Sequence, residues 1–508
     1  MPKRNNLTFN TNWLLINYKF AQQFVLHSCS MRNIYFKCVI FLLLAGVQGF
    51  AQTKVWTLEE TVAYALKNNI TIQQSDLDIR SAAIDRKAAW AGFLPTANAQ
   101  AGHSWNIGLN QNITTGLLEN QTNQFTSAGL NVGVDIFNGL QNQNRLRRAN
   151  LAIIGAQYQL SKIKDDVALN VANAYLQILF NKENLKVQRD QLANNERQIE
   201  RTSELVNAGS IPRGDLLDMQ ATVATSRQAV VSAENALLIS KLSLAQLLQL
   251  DEFKDFDVAN VDYEAADSPA MLQTADAIYQ KAKEERVEIK IARTNLEIAE
   301  KDVTIARGAY MPSLQGYYNF STRAAYLDRV IGAVPDPDSP TTVIGTVEGT
   351  GQNVLAPNFI PVLGSSLPVW EQFNENKGHS FGFQLNIPIL QGYTVRNNIE
   401  RSRVALDRYK IAFEQEELTL ERNVYTAFTD AKGALNAYES AVVALEARKE
   451  AFNYANEKYA VGMMNAFDFN QAQTLYSNAQ SEVIRAKYDY VFRVKVVEFY
   501  FGIPIINK

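Results

Sequence analysis

The chain has 508 residues, 47% of them hydrophobic and 20% charged, with 49 Lys or Arg, 52 Asp or Glu and a formal net charge of −3. No basic excess exists to attract nucleic acid, which is excluded as a partner. The only cysteines, Cys29 and Cys38, sit near the N-terminus, so disulfide and thiolate chemistry are excluded from everything after them.

Residues 1–51 contain no Asp or Glu and read as a leader. The signal proper is expected at about 31–51. Met31-Arg32-Asn33 and Lys37 supply charge, 39–47 the apolar stretch, and Gly49-Phe50-Ala51 a small-x-small cleavage site. The apolar run falls well short of the ~20 residues that span a bilayer. Val47 stands where a lipoprotein signal requires Cys. Cleavage removes five basic residues, leaving 44 against 52 acidic ones and a charge of −8.

Thr57-Leu58-Glu59-Glu60 is a capping box, with Thr57 as N-cap and Glu60 reaching back to it. The helix it starts is predicted over 58–91, with Val62, Leu66, Ile70, Leu77 and Ile84 mostly three, four or seven residues apart. It stops before Pro95. The period then changes from 3.6 to 2, predicting strands at about 96–107 and 129–137. Apolar Ala99, Trp105, Leu130 and Val132 alternate there with Asn98, Ser104, Asn131 and Gly133.

From Gly139 to Asn207 the chain has no Pro and a single Gly155, predicting one helix about 100 Å long at ~1.5 Å per residue. Its apolar stripe is narrow and flanked by polar residues, as in a coiled-coil rod. The rod reverses at Gly209-Ser210-Ile211-Pro212, where glycine suits a left-handed C′ position, and returns over 213–248.

All of this happens twice. Gly139, Arg148, Gly209 and Asp215 recur 253 residues later as Gly392, Arg401, Gly462 and Asp468, whereas Pro95 recurs after only 217 residues as Pro312. The second copy is therefore 36 residues longer between these landmarks. The first repeat is placed at 55–250, an equatorial linker at 251–271, the second repeat at 272–500 and a tail at 501–508. The second copy's opening helix is expected over 272–309 and its strands at about 313–320 and 380–390. Its extra length falls in a loop at 321–378, expected to be extracellular. Trp105, Tyr317, Tyr318, Phe320, Phe381 and Phe383 are candidates for interfacial girdles or a lipid-facing surface.

The fold class is mainly α with a β-barrel portion, built as a duplicated helix–hairpin–long helix–helix unit. Four strands cannot close a transmembrane barrel, and open edges do not survive in lipid. Two chains would give eight strands around a filled interior. Three would give twelve strands and a conduit.

The Thr57-Leu58-Glu59-Glu60…Ala65-Leu66…Asn68-Asn69 opening resembles that of the TolC-like outer-membrane efflux proteins. So do Pro95 and Pro312 at strand entry, Gly139 and Gly392 at the strand-to-helix junctions, and the G-x₅-D tips at Gly209…Asp215 and Gly462…Asp468. The resemblance covers residues 55–500 and includes the duplication. It implies a homotrimer with a 12-stranded barrel in the Gram-negative outer membrane and a long α-helical tunnel in the periplasm. It implies docking at the helical tips to a periplasmic adaptor served by an inner-membrane RND, MFS or ABC transporter. Tip contacts would come from Gly209, Ser210, Ile211, Pro212, Gly462, Met463, Met464 and Asn465.

Family members also narrow the tunnel with acidic side chains just inside the tip, and Asp468 matches one such position. Gln471 stands where a second acid belongs, and Asp215 is the first-copy counterpart. The competing reading of Asp468 and Asp215 is charge stabilisation of a helix N-terminus. Arg145, Arg147, Arg148, Arg396, Arg401 and Arg403 follow the junctions, either as headgroup anchors or as ordinary solvated ion-pair residues. No catalytic, cofactor or metal constellation is expected. The alternative function is a secreted coiled-coil scaffold or adhesin whose hairpins pack outside any membrane.

Overall fold

The computed structural model describes residues 55–111, 116–250, 256–260 and 268–503. The leader, most of the linker and the end of the tail lie outside the described residues. Strand β1 (Val55–Trp56) leads into α1 (Leu58–Asn68) and α2 (Ile70–Ala91), followed by the hairpin β2 (Thr96–Gln111) and β3 (Leu118–Asn138). The rod α3 (Gln141–Asn207) and its return α4 (Arg213–Leu248) complete the first copy, and β4 (Asp257–Val258) pairs in parallel with β1. The second copy runs α5 (Ala275–Glu285), α6 (Val287–Gly308), β5 (Ser313–Ala325), β10 (Gly378–Asn386), α8 (Thr394–Ala460) and α9 (Ala466–Tyr500).

The capping box forms: Glu60 N donates to Thr57 Oγ1 at 3.2 Å, and Thr57 N to Glu60 Oε2 at 3.3 Å. The opening helix is not continuous, however. It breaks at Asn69, whose backbone swings to ψ 130°, and its second-copy counterpart breaks at Arg286 with ψ 136°. Each break residue has a tertiary use. Asn69 Oδ1 accepts from Thr71 N at 2.9 Å, while its Nδ2 donates to Leu247 O at 3.1 Å, tying the break to the end of α4. Arg286 is buried against the end of α9, its guanidinium 3.7 Å from the Phe499 ring centre.

Both rods are unbroken helices of 67 residues, as the Pro-free runs lead one to expect. α2 packs along the strand-side half of α3 and α4 along its other half. The main core gathers where they meet: Val62, Val171, Tyr175, Ile178, Leu244 and Leu248 are almost wholly buried with Val258 of β4. Tyr175 Oη donates towards Trp56 O and Ala259 O, and Lys182 and Lys241 bind the Asp257 carboxylate at 2.8 and 3.0 Å. Burial pushes the Asp257 carboxyl up, but the two ammonium groups together hold it below its ordinary value. A second core, including Ile278, Ile289, Val424 and Val497, occupies the corresponding level of the other copy.

The four long strands form one antiparallel sheet in the order β10-β5-β3-β2. Three of them run further than their alternation suggests, because polar residues continue the ladder towards the hairpin ends. β10 is the exception and stops at Asn386, just before Pro388, which has no N–H to give. The 321–378 segment is not a plain loop. β5 continues to Ala325, β6 (Arg329–Pro335) pairs with β9 (Phe359–Gly364), β7 (Thr341–Thr346) pairs with β8 (Asn353–Pro357), and α7 (Val369–Glu375) packs back on β5. Its β-branched clusters thus build a ribbon.

Candidate functional site

The sheet has two unlike faces. One carries Ala99, Trp105, Leu130, Val132, Tyr318, Phe320, Phe381, Phe383 and Leu385. Its outer members are bare, with Phe381 80% and Phe383 76% exposed. The other face carries Thr96, Gln100, Asn131, Gln315, Asn319 and Gln384, of which Thr96, Gln315, Asn319 and Gln384 border a cavity of about 920 Å³. Tyr317 belongs to this polar face rather than to a lipid-facing girdle: it sits opposite Gly133 and Gly382, and a Cβ at Gly382 would meet its hydroxyl at 3.0 Å. His103 and His379 lie on the apolar face, each with Nδ1 2.8 Å from a hydroxyl, that of Thr126 and that of Tyr318.

The junctions turn sheet into rod. Pro95 and Pro312 immediately precede β2 and β5, where a helix cannot continue. On the way back, Gly139 and Leu140 take φ of 66° and 61°, and Gly392 and Tyr393 take 51° and 64°. Two successive left-handed residues redirect the chain by the same device in both copies. Gly139 is also pressed against α6: a Cβ there would stand 2.1 Å from Gly308 O. Among the basic residues after the junctions, Arg148 pairs with Asp302 at 2.6 Å and Arg403 with Glu400 at 2.6 Å, while Arg145 bonds Asn142 and Gln141. For these three the ion-pair or hydrogen-bond reading holds.

At the far end both rods stop in Schellman turns. Ser210 N donates to Leu205 O at 2.9 Å and Met463 N to Lys458 O at 2.8 Å, around Gly209 and Gly462 at φ 72° and 74°. The return helices start differently. Pro212 precedes α4 with no side-chain cap, whereas Asn465 caps α9 by accepting from Asp468 N at 2.8 Å. Asn465 Nδ2 also donates to Asp468 Oδ2 at 3.0 Å, so Asp468 does serve the helix N-terminus. Asp468 and Gln471 are exposed one helical turn apart, and Asp215 is half-buried. Ile211 and Met464 are half-buried in the turns, whereas Ser210 and Met463 are exposed.

A feature not anticipated lies behind the second tip. Tyr459 stacks on Phe469 at 4.6 Å, Phe469 meets Phe452 at 5.8 Å, and Phe452 stacks on Tyr476 at 5.3 Å. The 452/459 and 469/476 spacings of seven were visible in the sequence. Tyr459 Oη also reaches Thr202 Oγ1 at 3.5 Å, and Arg201 donates to Ala460 O at 3.2 Å, tying the two hairpins together near their tips.

No helix among the described residues is long and apolar enough to cross a membrane, so any spanning segment among them is a strand. A family model described as outer membrane efflux protein matches residues 62–249 and 278–495, which are the two copies. The chain belongs to the outer membrane efflux protein family. The efflux protein is 23% identical to outer membrane protein TolC of Vibrio cholerae over 90% of this chain and 94% of the relative. It is 23% identical to the pyoverdine export outer membrane protein OpmQ of Pseudomonas aeruginosa over 87% and 85%. The Campylobacter jejuni CmeC outer membrane channel superposes with a TM-score of 0.67 at 17% identity, covering 88% of this chain and 85% of that one. As a family member, the protein is an outer-membrane efflux channel of the Gram-negative envelope, and these relatives do not support the scaffold alternative.

Proposed function

We propose that three copies of this chain close a 12-stranded barrel in the outer membrane and extend a helical tunnel through the periplasm. In this reading substrates leave passively, driven by an inner-membrane RND, MFS or ABC transporter through an adaptor that docks on the two tips. One observation carries it: a four-stranded sheet, apolar and bare on one face and polar on the other, with neither edge paired among the described residues. Open edges are not tolerated in lipid, so other chains must supply the missing strands. The 329–364 ribbon then stands at the outer mouth, since it grows from the sheet end opposite the rods.

Asp468 is the candidate constriction charge. It is exposed beside the tip, and Gln471 in the next turn leaves a single acidic ring where two acids would give a double one. Three converging carboxylates attract cations and repel anions. Purified protein in planar bilayers should give discrete cation-selective conductance that weakens in Asp468→Ala. Unchanged selectivity and unchanged divalent block in that variant would remove Asp468 from the pore.

A further inference from the structure

Strand register assigns the side chains of the sheet to its two faces, and with them the charges. On the polar face, among the described residues, the charged side chains are Glu119, Asp135 and Arg323. Asp135 lies near the rods, where its Oδ1 accepts from Gln315 Nε2 at 2.9 Å. Arg323 stands eight residues further along β5 than Gln315, about 27 Å at ~3.4 Å per residue. With strands tilted by about 40°, that is roughly 20 Å of depth towards the ribbon end. Glu119 lies further out still, past the last β3–β5 pair, Phe125 opposite Ala325. Between Asp135 and Arg323 the face carries no charge.

Arg323 is held by a ring rather than by a carboxylate. Its guanidinium carbon lies 5.0 Å from the centre of the Phe125 ring, which shares the polar face on the neighbouring strand. The arginine is exposed, and no carboxylate among the described residues pairs with it. A ring under one face steadies the guanidinium plane without using any of its five N–H donors. The fork stays available to a planar oxyanion, which it meets with two parallel hydrogen bonds. The same row continues outward from Phe125 with Asn123, 5% exposed, and then Gln121. Asn123 Oδ1 and Gln121 Nε2 are buried with no hydrogen-bond partner. Buried polar atoms are paired as a rule. A molecule that carries an oxyanion beside a hydroxyl or amide matches the cation, the orphaned donor and the orphaned acceptor.

We propose that Arg323, seated on Phe125, is an anion subsite just inside the outer mouth of the lumen, taking the carboxylate, sulfonate or phosphate group of an exported molecule. This rests on the barrel reading, which turns the polar face inward, and adds a substrate class to it. Three subunits ring the exit with three such subsites, while Asp135 gives the inner end of the same lumen the opposite sign. Asp468 is a whole rod away, about 100 Å, so the two charges act at different stages of exit.

Purified protein in planar bilayers at about 0.1 M KCl, with pyrenetetrasulfonate added on the ribbon side, tests it. This probe is flat and permanently anionic, and the parent pore should show saturable block. Arg323→Gln should raise the half-blocking concentration by about tenfold or more, the loss of a charge-assisted pair. Arg323→Lys keeps the charge but neither fork nor stack, and should fall between the two. Asp135→Asn, roughly two Debye lengths away, should shift the value by less than about twofold. Raising KCl to about 1 M should weaken the parent's block, since the Debye length shrinks to ~3 Å. Conductance without the probe shows that each variant has assembled; if Arg323→Gln does not insert, block in Arg323→Lys equal to the parent's overturns the subsite. A parent pore indifferent to the probe, or block unchanged in Arg323→Gln, overturns it as well and leaves the barrel standing. Protein that forms no pore in any variant would bring down the barrel reading instead.

Discussion

Replacing Arg286 by Met removes the clamp that holds α5, α6 and the end of α9 together. The guanidinium side chain is 7% exposed, donates to both Glu288 oxygens at 3.1 and 2.9 Å, and lies 3.6 Å from Asp165. Phe499 covers its face. Methionine retains much of the packing but leaves Glu288, 20% exposed, without its cation. Breaking a buried pair from one side costs about 3–5 kcal/mol, more than the ~1 kcal/mol of an exposed pair. At 1.4 kcal/mol per decade, amide exchange protection over 275–303 and 490–503 should fall by about two to three and a half decades. Arg286→Met with Glu288→Met should recover most of it, because only the partly exposed Asp165 then loses its cation.

The pH dependence of that defect has a definite sign. In the intact protein burial pushes the Glu288 carboxyl up, but Arg286 holds it below its ordinary value. Its stabilisation is therefore present above the unfolded value near ~4.3 and is lost as pH falls through the lower folded value. Without Arg286, burial is opposed only by a backbone hydrogen bond and the Lys162 charge, so the Glu288 carboxyl rises, and Asp165, already raised mainly by burial, rises further. The variant should thus regain stability relative to the parent as pH drops from 7 towards 4.5. A loss below about 1 kcal/mol at pH 7, or a defect that does not shrink on acidification, would refute the argument.

Other expected outcomes concern the equator, the junction and the tip. Asp257→Asn should loosen the β1–β4 pair by about 1 kcal/mol, discounted because the carboxylate is over a third exposed. Since Asp257 is held below its ordinary value, the parent's advantage should persist at neutral pH and vanish on acidification below ~3.9, as read by exchange at residues 55–58. Gly139→Ala should fail to assemble, because its methyl meets Gly308 O at 2.1 Å, whereas Gly209→Ala meets nothing within 4 Å and should cost only the left-handed penalty of about 1–2 kcal/mol; expression and heat-modifiable gel mobility separate the two. Phe469→Ala, which cuts the aromatic stack, should cost about 3–5 kcal/mol and raise proteolysis near the second tip well above that of the parent.

The architecture was legible because its determinants are local: the Thr57 capping box, Gly209 and Gly462 at the reversals, the absence of Pro along both rods, and period-2 runs after Pro95 and Pro312. The breaks at Asn69 and Arg286 were not, because apolar spacing continues through both and the reason for breaking is tertiary, a bond to Leu247 O in one case and burial on Phe499 in the other. Tyr317 was misplaced because Tyr317 and Tyr318 are adjacent aromatics, and only strand pairing says which one shares the apolar face. The 329–364 ribbon was hidden by Gly and Pro within short strands. At the tip, the positions of Asp468 and Asp215 followed from the repeat, but the aromatic stack required side chains from α8 and α9 to be placed together.

The central claim is that three chains supply one closed barrel. Native mass spectrometry of the protein extracted from outer membranes tests it most directly. A single dominant species of three mature chains is expected, and a dominant monomer or dimer would contradict it.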